Sequence, residues 1–499
     1  MTLQEALQRL DTFEQTRYAY QHAMGVLSVD GVTAAPSASS RGRGETMALL
    51  SEVTYKQLTD PATADMLHTL LDHASELPLK TRRQAEELFD SYQETICIPL
   101  EEYVAYSRLL NDADAVWHQA KADNDFPAFA PYLAQLVTYA RRFAGYRDTT
   151  KAPYDVLLDQ FEKGTSMATL DPFFAALREK LSPLILAIAE KPEPRTDFLH
   201  QLYPVEDQRR FSARLMALMG IDSTRCTLTE TEHPFTDGFN RWDVRITTHY
   251  FDHDVASSMY SVIHEGGHAL YELGVGENVQ FTCLAGGSSM GIHESQSRFY
   301  ENLIGRSYAF CQSLLPIMRE CFPQQMAGID AETLYRAVNL VKPSLIRTEA
   351  DELTYAQHIM VRYELEKQLF AGTLAVNDLP QAWNDMYRAY LGVTVPNDRE
   401  GVLQDSHWSG GAFGYFPSYA LGSAYGAQML HRMKQELDVD AIASGGDLTP
   451  ITTWLGEKIH HYGRLLTPAQ LLESACGGPF EPHYFVDYLT EKYTALYRL

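Results

Sequence analysis

The 499-residue sequence contains no apolar run near the roughly 20 residues needed to cross a bilayer, no C-x-x-C pair and few basic side chains for its acid content. Each absence removes a class of function. Without a spanning segment, no integral membrane role is expected. Lys and Arg number 41 against 65 Asp and Glu, a formal net charge of -24, and such a surface repels phosphate backbones and anionic lipid. Nucleic acid and membrane are therefore excluded as partners. The six cysteines (Cys97, Cys226, Cys283, Cys311, Cys321, Cys476) are scattered, the usage of a reducing compartment rather than of a disulfide framework or zinc ribbon. Met1 to Ala6 supplies neither a basic region nor the start of an apolar one, so no signal peptide is expected. Internal repeats and low-complexity tracts are also missing. A cytoplasmic location is expected.

What is present is helical periodicity. Leu67, Leu70 and Leu71 recur at helical spacing, as do Ala85, Leu88, Phe89 and Tyr92, and then Tyr103, Tyr106, Leu110 and Trp117. These stripes read as core. Prolines 78, 99, 127, 153, 183 and 204 fall mostly between periodic segments. Hydrophobic residues make up 45% of the chain, enough to bury a large core. Length alone allows two to four domains, yet helical enzymes often reach this size as one body with a cleft. The expected class is mainly α, with residues 1–499 as one domain.

One stretch departs from helical period. Val244, Ile246 and Thr248 alternate with Arg245, Thr247 and His249, and Thr227 to Thr231 has similar β character. Asp237-Gly238 supplies a turn signal between them. The expectation is a small antiparallel sheet just before the most informative helix. An exposed strand there can hold an extended peptide by edge pairing, or serve only as scaffold.

That helix carries His264-Glu265-Gly266-Gly267-His268. Asp252-His253-Asp254 can cap its start, and Gly274 offers a stop. His264 and His268 are i and i+4, about 6 Å apart along the axis on one face, and two imidazoles so placed can share a zinc ion. Glu265, rotated about 100° from His264, can reach a water at the metal without ligating, as a general base must. H-E-x-x-H arises by chance in roughly one chain of this size in a hundred, so a pair of surface histidines is the plain alternative. Gly266 and Gly267 each cost about 1 kcal/mol in a helix relative to Ala, which suggests a close approach there.

A catalytic zinc requires a third protein ligand. The arrangement H-E-x-x-H-x-x-G-x-x-H fails, since Tyr271 and Gly274 occupy its Gly and third His positions. Glu272 lies about 12 Å along the axis from His264, too far to join both histidines. Glu277 would need the chain to fold back sharply. Glu294, in Gly291-Ile292-His293-Glu294-Ser295-Gln296 after a Gly/Ser-rich loop, suits a return helix. Its neighbour His293 is the rival ligand, and suits better a residue that hydrogen-bonds a ligand or lines the cleft.

The ordered motifs then identify a family. His233-Pro234-Phe235, Asp243-Val244-Arg245-Ile246-Thr247, His264 to His268, His293-Glu294-Ser295-Gln296, Ile346-Arg347-Thr348-Glu349-Ala350-Asp351 and Gly401-Val402-Leu403-Gln404-Asp405-Ser406-His407-Trp408 together resemble the carboxypeptidase Taq family of metallocarboxypeptidases. The resemblance implies release of single residues from peptide C-termini, with one Zn2+ or Co2+ ion held by two His and a Glu. It also implies an almost wholly helical fold with a deep cleft, similar to the neurolysin and angiotensin-converting types, and a homodimer. Residues 221–499 carry the motifs and form the expected catalytic part. The helical residues up to about 220 match in length and helicity only and are expected to form one cleft wall.

Roles follow from chemistry. Charge on the carbonyl oxygen needs a donor besides the metal, for which Tyr415 and Tyr419 are candidates, each otherwise a packed aromatic. His407 can bond substrate or intermediate. A terminal carboxylate suits a guanidinium. Arg347 is the first choice, with Asp351 at i+4 to orient it, and Arg245 the second. His233 is expected to line the site, although the turn at Pro234 also accounts for its motif. Two other functions compete: an oligopeptidase cutting internal bonds, and a noncatalytic zinc-containing protein that binds peptides.

Overall fold

The computed structural model describes every residue of the chain apart from the side chain of Ser37. Helices run from Leu3 to Tyr497, and most begin where proline or a small polar residue can cap them. Pro78, Pro99 and Pro204 sit immediately before helices, while Pro127 and Pro153 occupy first-turn positions, where a missing N–H costs nothing. Pro183 differs: it lies inside the helix Met167–Ala189, whose buried Leu181, Leu184 and Ile185 hold the turn through packing.

The apolar core divides near residue 100. One cluster joins Ala6, Leu10 and Phe13 to Met66, Leu67, Leu70, Ala85 and Leu88, so the first helices build their own core. From Leu109 onward most buried apolar residues belong to a second, continuous cluster reaching Tyr497, with Val275, Val279, Leu284 and Leu465 in a small third one. The stripe containing Trp117 therefore packs with the motif-bearing part; Trp117 Nε1 donates to the carbonyl of Leu403.

The sheet corrects the expected topology. Strands β1 (Cys226–Glu230), β2 (Thr236–Asn240) and β3 (Asp243–Thr248) lie in the order β1-β3-β2. β2 and β3 are antiparallel, but β1 pairs with β3 in parallel, Cys226 opposite Val244 and Thr229 opposite Thr247. Arg241 and Trp242 make the tight turn from β2 to β3, and β1 takes the far side of β3. The chain reverses twice, on entering β2 and on leaving it, so β1 and β3 run the same way. Asp237-Gly238 is thus inside β2 rather than at a turn. β2 is an edge strand.

Three helices bring the site together. The metal helix, Val255–Gly274, is capped by Asp254, whose carboxylate accepts from Ser257 N. It packs on β3 and on a return helix, Met290–Arg298, capped by Ser289. The return helix continues into a π-helical turn, Phe299–Ile304, a form often found at functional sites. The helix Pro417–Met433 covers the other side of the return helix.

The paired glycines differ in what they meet. A Cβ on Gly267 would fall 2.5 Å from the Gln296 carbonyl oxygen and 2.8 Å from Ser297 Cα, so backbone meets backbone there. On Gly266 it would meet the flexible end of Met219 at 2.7 Å. Gly267→Ala is expected to push the metal and return helices apart and destabilise the protein by about 1–3 kcal/mol. Gly266→Ala, which Met219 can accommodate, is expected to cost less. Thermal unfolding of the two metal-free variants checks the order.

Candidate metal centre and the wall beside it

On the metal helix, His264 and His268 turn their Nε2 atoms toward one carboxylate oxygen of Glu294, at 3.8 Å and 3.5 Å. One ligand atom from each of the three residues lies within 4.8 Å of the others. A tetrahedral ion with ligands at about 2.0–2.1 Å sets neighbouring donors roughly 3.3–3.4 Å apart, so the set fits one divalent ion after small adjustments. The remaining nitrogens also fit. His264 Nδ1 is 2.8 Å from Glu301 Oε2, and His268 Nδ1 is 2.6 Å from His293 Nδ1. Both Nδ1 atoms are thus occupied, and both Nε2 atoms face the gap.

Glu294, Arg298 and Glu301 follow one another at i, i+4 and i+7 along the return helix and its π turn. Arg298 Nε donates to Glu294 Oε1 at 2.7 Å, and Nη1 to Glu301 Oε2 at 3.1 Å. Burial favours the neutral carboxylic acid at Glu294, but Arg298 and the histidines outweigh it and hold the group well below the usual carboxylate range. Glu301 is held at about 2 against burial by Arg298, His264 and Arg306. Both are carboxylates at neutral pH. Burial takes His268 down to about 3, leaving a neutral ring whose lone pair can ligate.

Glu265 takes no part in these ion pairs. Thr236, the first residue of β2, donates its hydroxyl to Glu265 Oε2 at 2.6 Å. Burial raises the Glu265 carboxyl, partly offset by His264 and by Thr236; an upward shift suits a group that takes and returns a proton near neutral pH.

The other expected ligands are elsewhere. Glu277 lies in a short 3-10 turn, exposed, 3.7 Å from Arg241. Glu272 accepts from His293 Nε2 at 2.8 Å. His293 itself touches His268, not the gap between the Nε2 atoms.

The wall beside the centre joins two sequence motifs. Gln404 Oε1 accepts from Arg347 N at 3.0 Å, and Asp405 takes Arg347 Nη2 at 2.9 Å and Arg362 Nε at 2.7 Å. Arg347 Nη1 donates to the Tyr355 hydroxyl at 2.9 Å. Two guanidiniums against one carboxylate leave one positive charge, packed 4.9 Å beneath the Tyr419 ring. Asp351 does not orient Arg347, which corrects the i+4 expectation. Arg347 to Glu349 form a 3-10 turn and Ala350 is extended, so helical spacing does not apply. Asp351 instead caps the helix Glu352–Ala371 through Leu353 N and Thr354 N.

His407 Nε2 lies 3.2 Å from the Tyr419 hydroxyl, and its ring stacks on Tyr415. Burial, reinforced by Arg347 and Arg362, lowers His407 to about 4 despite Asp405, so it is neutral. The buried Glu366 anchors this segment by accepting from Trp408 Nε1 at 2.7 Å and Gly414 N at 2.8 Å. A Cβ on Gly422, one turn after Tyr419, would fall 2.7 Å from Glu294 Cβ. That close packing places the tyrosines next to the metal ligand.

Two candidates are set apart from this group. Arg245 pairs with Asp243 through two contacts of 3.0 Å and covers the ring of Phe239. His233 is exposed in the link after β1, its carbonyl accepting from Thr231 Oγ1.

Comparison with known proteins gives this geometry a context. The model of the carboxypeptidase Taq (M32) metallopeptidase family matches residues 9–493. The chain belongs to that family. It is 41% identical over 482 residues to Carboxypeptidase 1 of Bacillus subtilis, covering 96% of each chain. Thermostable carboxypeptidase 1 of Thermus thermophilus is 37% identical over the full length of both. The crystal structure of the M32 carboxypeptidase from Deinococcus radiodurans R1 superposes with a TM-score of 0.96 at 35% identity, covering 99% of this chain and all of the other.

Within this M32 metallopeptidase, sequence reasoning missed the parts played by Glu301, Arg298, Asp405, Arg362 and Thr236, and weighed Glu272 only as a ligand. Arg298 and Glu301 stand at helical spacing from Glu294, a signal that was available; Asp405 stood in the motif from Gly401 to Trp408 with nothing to name its partner, and Thr236 had no signal. Glu294→Ala is expected to release the metal. Metal content after gel filtration checks this, and full occupancy would transfer the ligand role to His293.

Proposed function

We propose that this metallocarboxypeptidase releases single residues from the C-termini of peptides of varied sequence, with His264, His268 and Glu294 holding one Zn2+ or Co2+ ion and Glu265 acting as general base. A divalent ion there, when bound, supplies Lewis acidity toward the scissile carbonyl and lowers the pKa of water. Glu265, steadied by Thr236, takes the proton from the attacking water and returns it to the leaving amine. The Tyr419 and Tyr415 hydroxyls are the donors proposed for the carbonyl oxygen, with His407 accepting from or donating to Tyr419. The free edge of β2, which holds Thr236, can pair with an extended substrate backbone.

The observation that carries the C-terminal reading is the net positive charge of Arg347, Asp405 and Arg362 buried beside Tyr419. A substrate carboxylate against that wall meets a charge that Asp405 only half neutralises. Arg347 acts from behind Tyr355 and Tyr419, since its own nitrogens are already bonded. The six unpaired cysteines support a cytoplasmic setting, and the family resemblance supports a homodimer.

Cleavage of internal bonds is the competing reading, because a cavity of about 790 Å³ lined by Thr236 and His293 extends to Arg17 and Tyr18 of the first helix. A short peptide with free or amidated C-terminus separates the two. The amide is expected to be cut poorly; equal hydrolysis of both would sink the carboxypeptidase reading. Arg347→Ala should lower kcat/KM on the free acid by about 10- to 100-fold, because Arg362 and Asp405 then cancel and the wall keeps no excess positive charge, with metal content unchanged. Glu265→Gln should retain the metal and lose at least about a hundredfold in kcat. A wild-type protein loaded with zinc or cobalt that hydrolysed nothing would favour the noncatalytic peptide-binding reading.

A further inference from the structure

Glu272 continues the face of the metal helix that carries His264 and His268, one turn beyond the second histidine. Too far to ligate, it has a different partner. Its Oε1 lies 2.8 Å from His293 Nε2, and His293 Nδ1 lies 2.6 Å from His268 Nδ1. A carboxylate oxygen only accepts, so His293 Nε2 carries the hydrogen. In a neutral imidazole the other nitrogen is then an acceptor.

We propose that Glu272 is a positioning residue for the metal: through His293 it keeps the His268 hydrogen on Nδ1 and leaves the Nε2 lone pair for the ion. The inference rests on the reading of His264, His268 and Glu294 as the metal site. The two histidines are then oriented by different devices, His264 by a carboxylate in direct contact and His268 by a carboxylate acting through an imidazole. Such outer partners fix the tautomer and raise ligand basicity.

The surroundings are built to hold this relay. A Cβ on Gly238 of β2 would fall 2.7 Å from Glu272 Cγ, and one on Gly287 would fall 2.5 Å from His293 Cδ2. Glycine at both positions lets the edge strand and the Gly/Ser-rich loop close over the pair. The Glu272 side chain is 12% exposed, little enough that water does not readily replace it.

Zinc affinity by chelator competition tests the relay. Glu272→Ala is expected to weaken binding about 10- to 100-fold, and Glu272→Gln, whose amide oxygen still accepts, to restore most of it. Because Glu272 acts only through His293, the double variant with His293→Ala should bind no more weakly than His293→Ala alone. Thermal melting of the metal-free proteins separates loss of affinity from loss of fold. Affinity within twofold of wild type in Glu272→Ala, or losses that multiply in the double variant, would overturn the proposal. Nitrogen-15 NMR of zinc-loaded wild type, with His293 assigned by its absence in His293→Gln, reads the tautomer without altering Glu272. Hydrogen on Nε2 is expected, and hydrogen on Nδ1 overturns the relay. His268→Ala serves as the control: undiminished zinc binding there would count against the metal site itself.

Discussion

Gly267 sets the distance on which the rest of the centre depends. With no side chain at that point, the metal helix rests directly on the backbone of the return helix at Gln296 and Ser297. Glu294 is two residues before Gln296, and this contact brings its carboxylate within 4 Å of both Nε2 atoms. Gly422 repeats the device from the other side, placing the helix of Tyr419 against Glu294 Cβ. The ligand that closes the metal set is therefore clamped between two backbones, a geometry no larger residue permits at either position.

A buried carboxylate so placed would ordinarily become protonated, because removal from water disfavours the ion. Arg298 prevents this. It bridges Glu294 and Glu301 while its guanidinium lies 4.4 Å over the Tyr355 ring. Tyr355 in turn accepts from Arg347. A continuous run of contacts thus links the metal ligand to the positively charged wall. Charge balance around Glu294 and charge excess at the Arg347 wall are parts of one network, with Tyr355 at the join.

Much of this was legible in the sequence because several features rest on short-range rules. The H-E-x-x-H spacing, the Asp254 cap and the failed third-ligand positions all depend on helix geometry over a few turns, and the metal helix runs as expected from Val255 to Gly274. What stayed hidden had other causes. Alternation shows strand period but not strand direction, so the parallel pairing of β1 and β3 was invisible, and Asp237-Gly238 passed for a turn. Asp351 was misread because i+4 pairing presumes a helix, and the chain from Arg347 to Ala350 is not one. Its true counterpart, Asp405, is 58 positions away from Arg347.

The metal set is the claim on which the catalytic and substrate roles all rest, and anomalous diffraction at the zinc edge from crystals soaked in zinc examines it most directly. The account predicts one strong peak about 2.0–2.2 Å from His264 Nε2, His268 Nε2 and a Glu294 carboxylate oxygen, with His293 and Glu301 outside ligand distance. A peak coordinated by His293, or one that leaves Glu294 unligated, would contradict it.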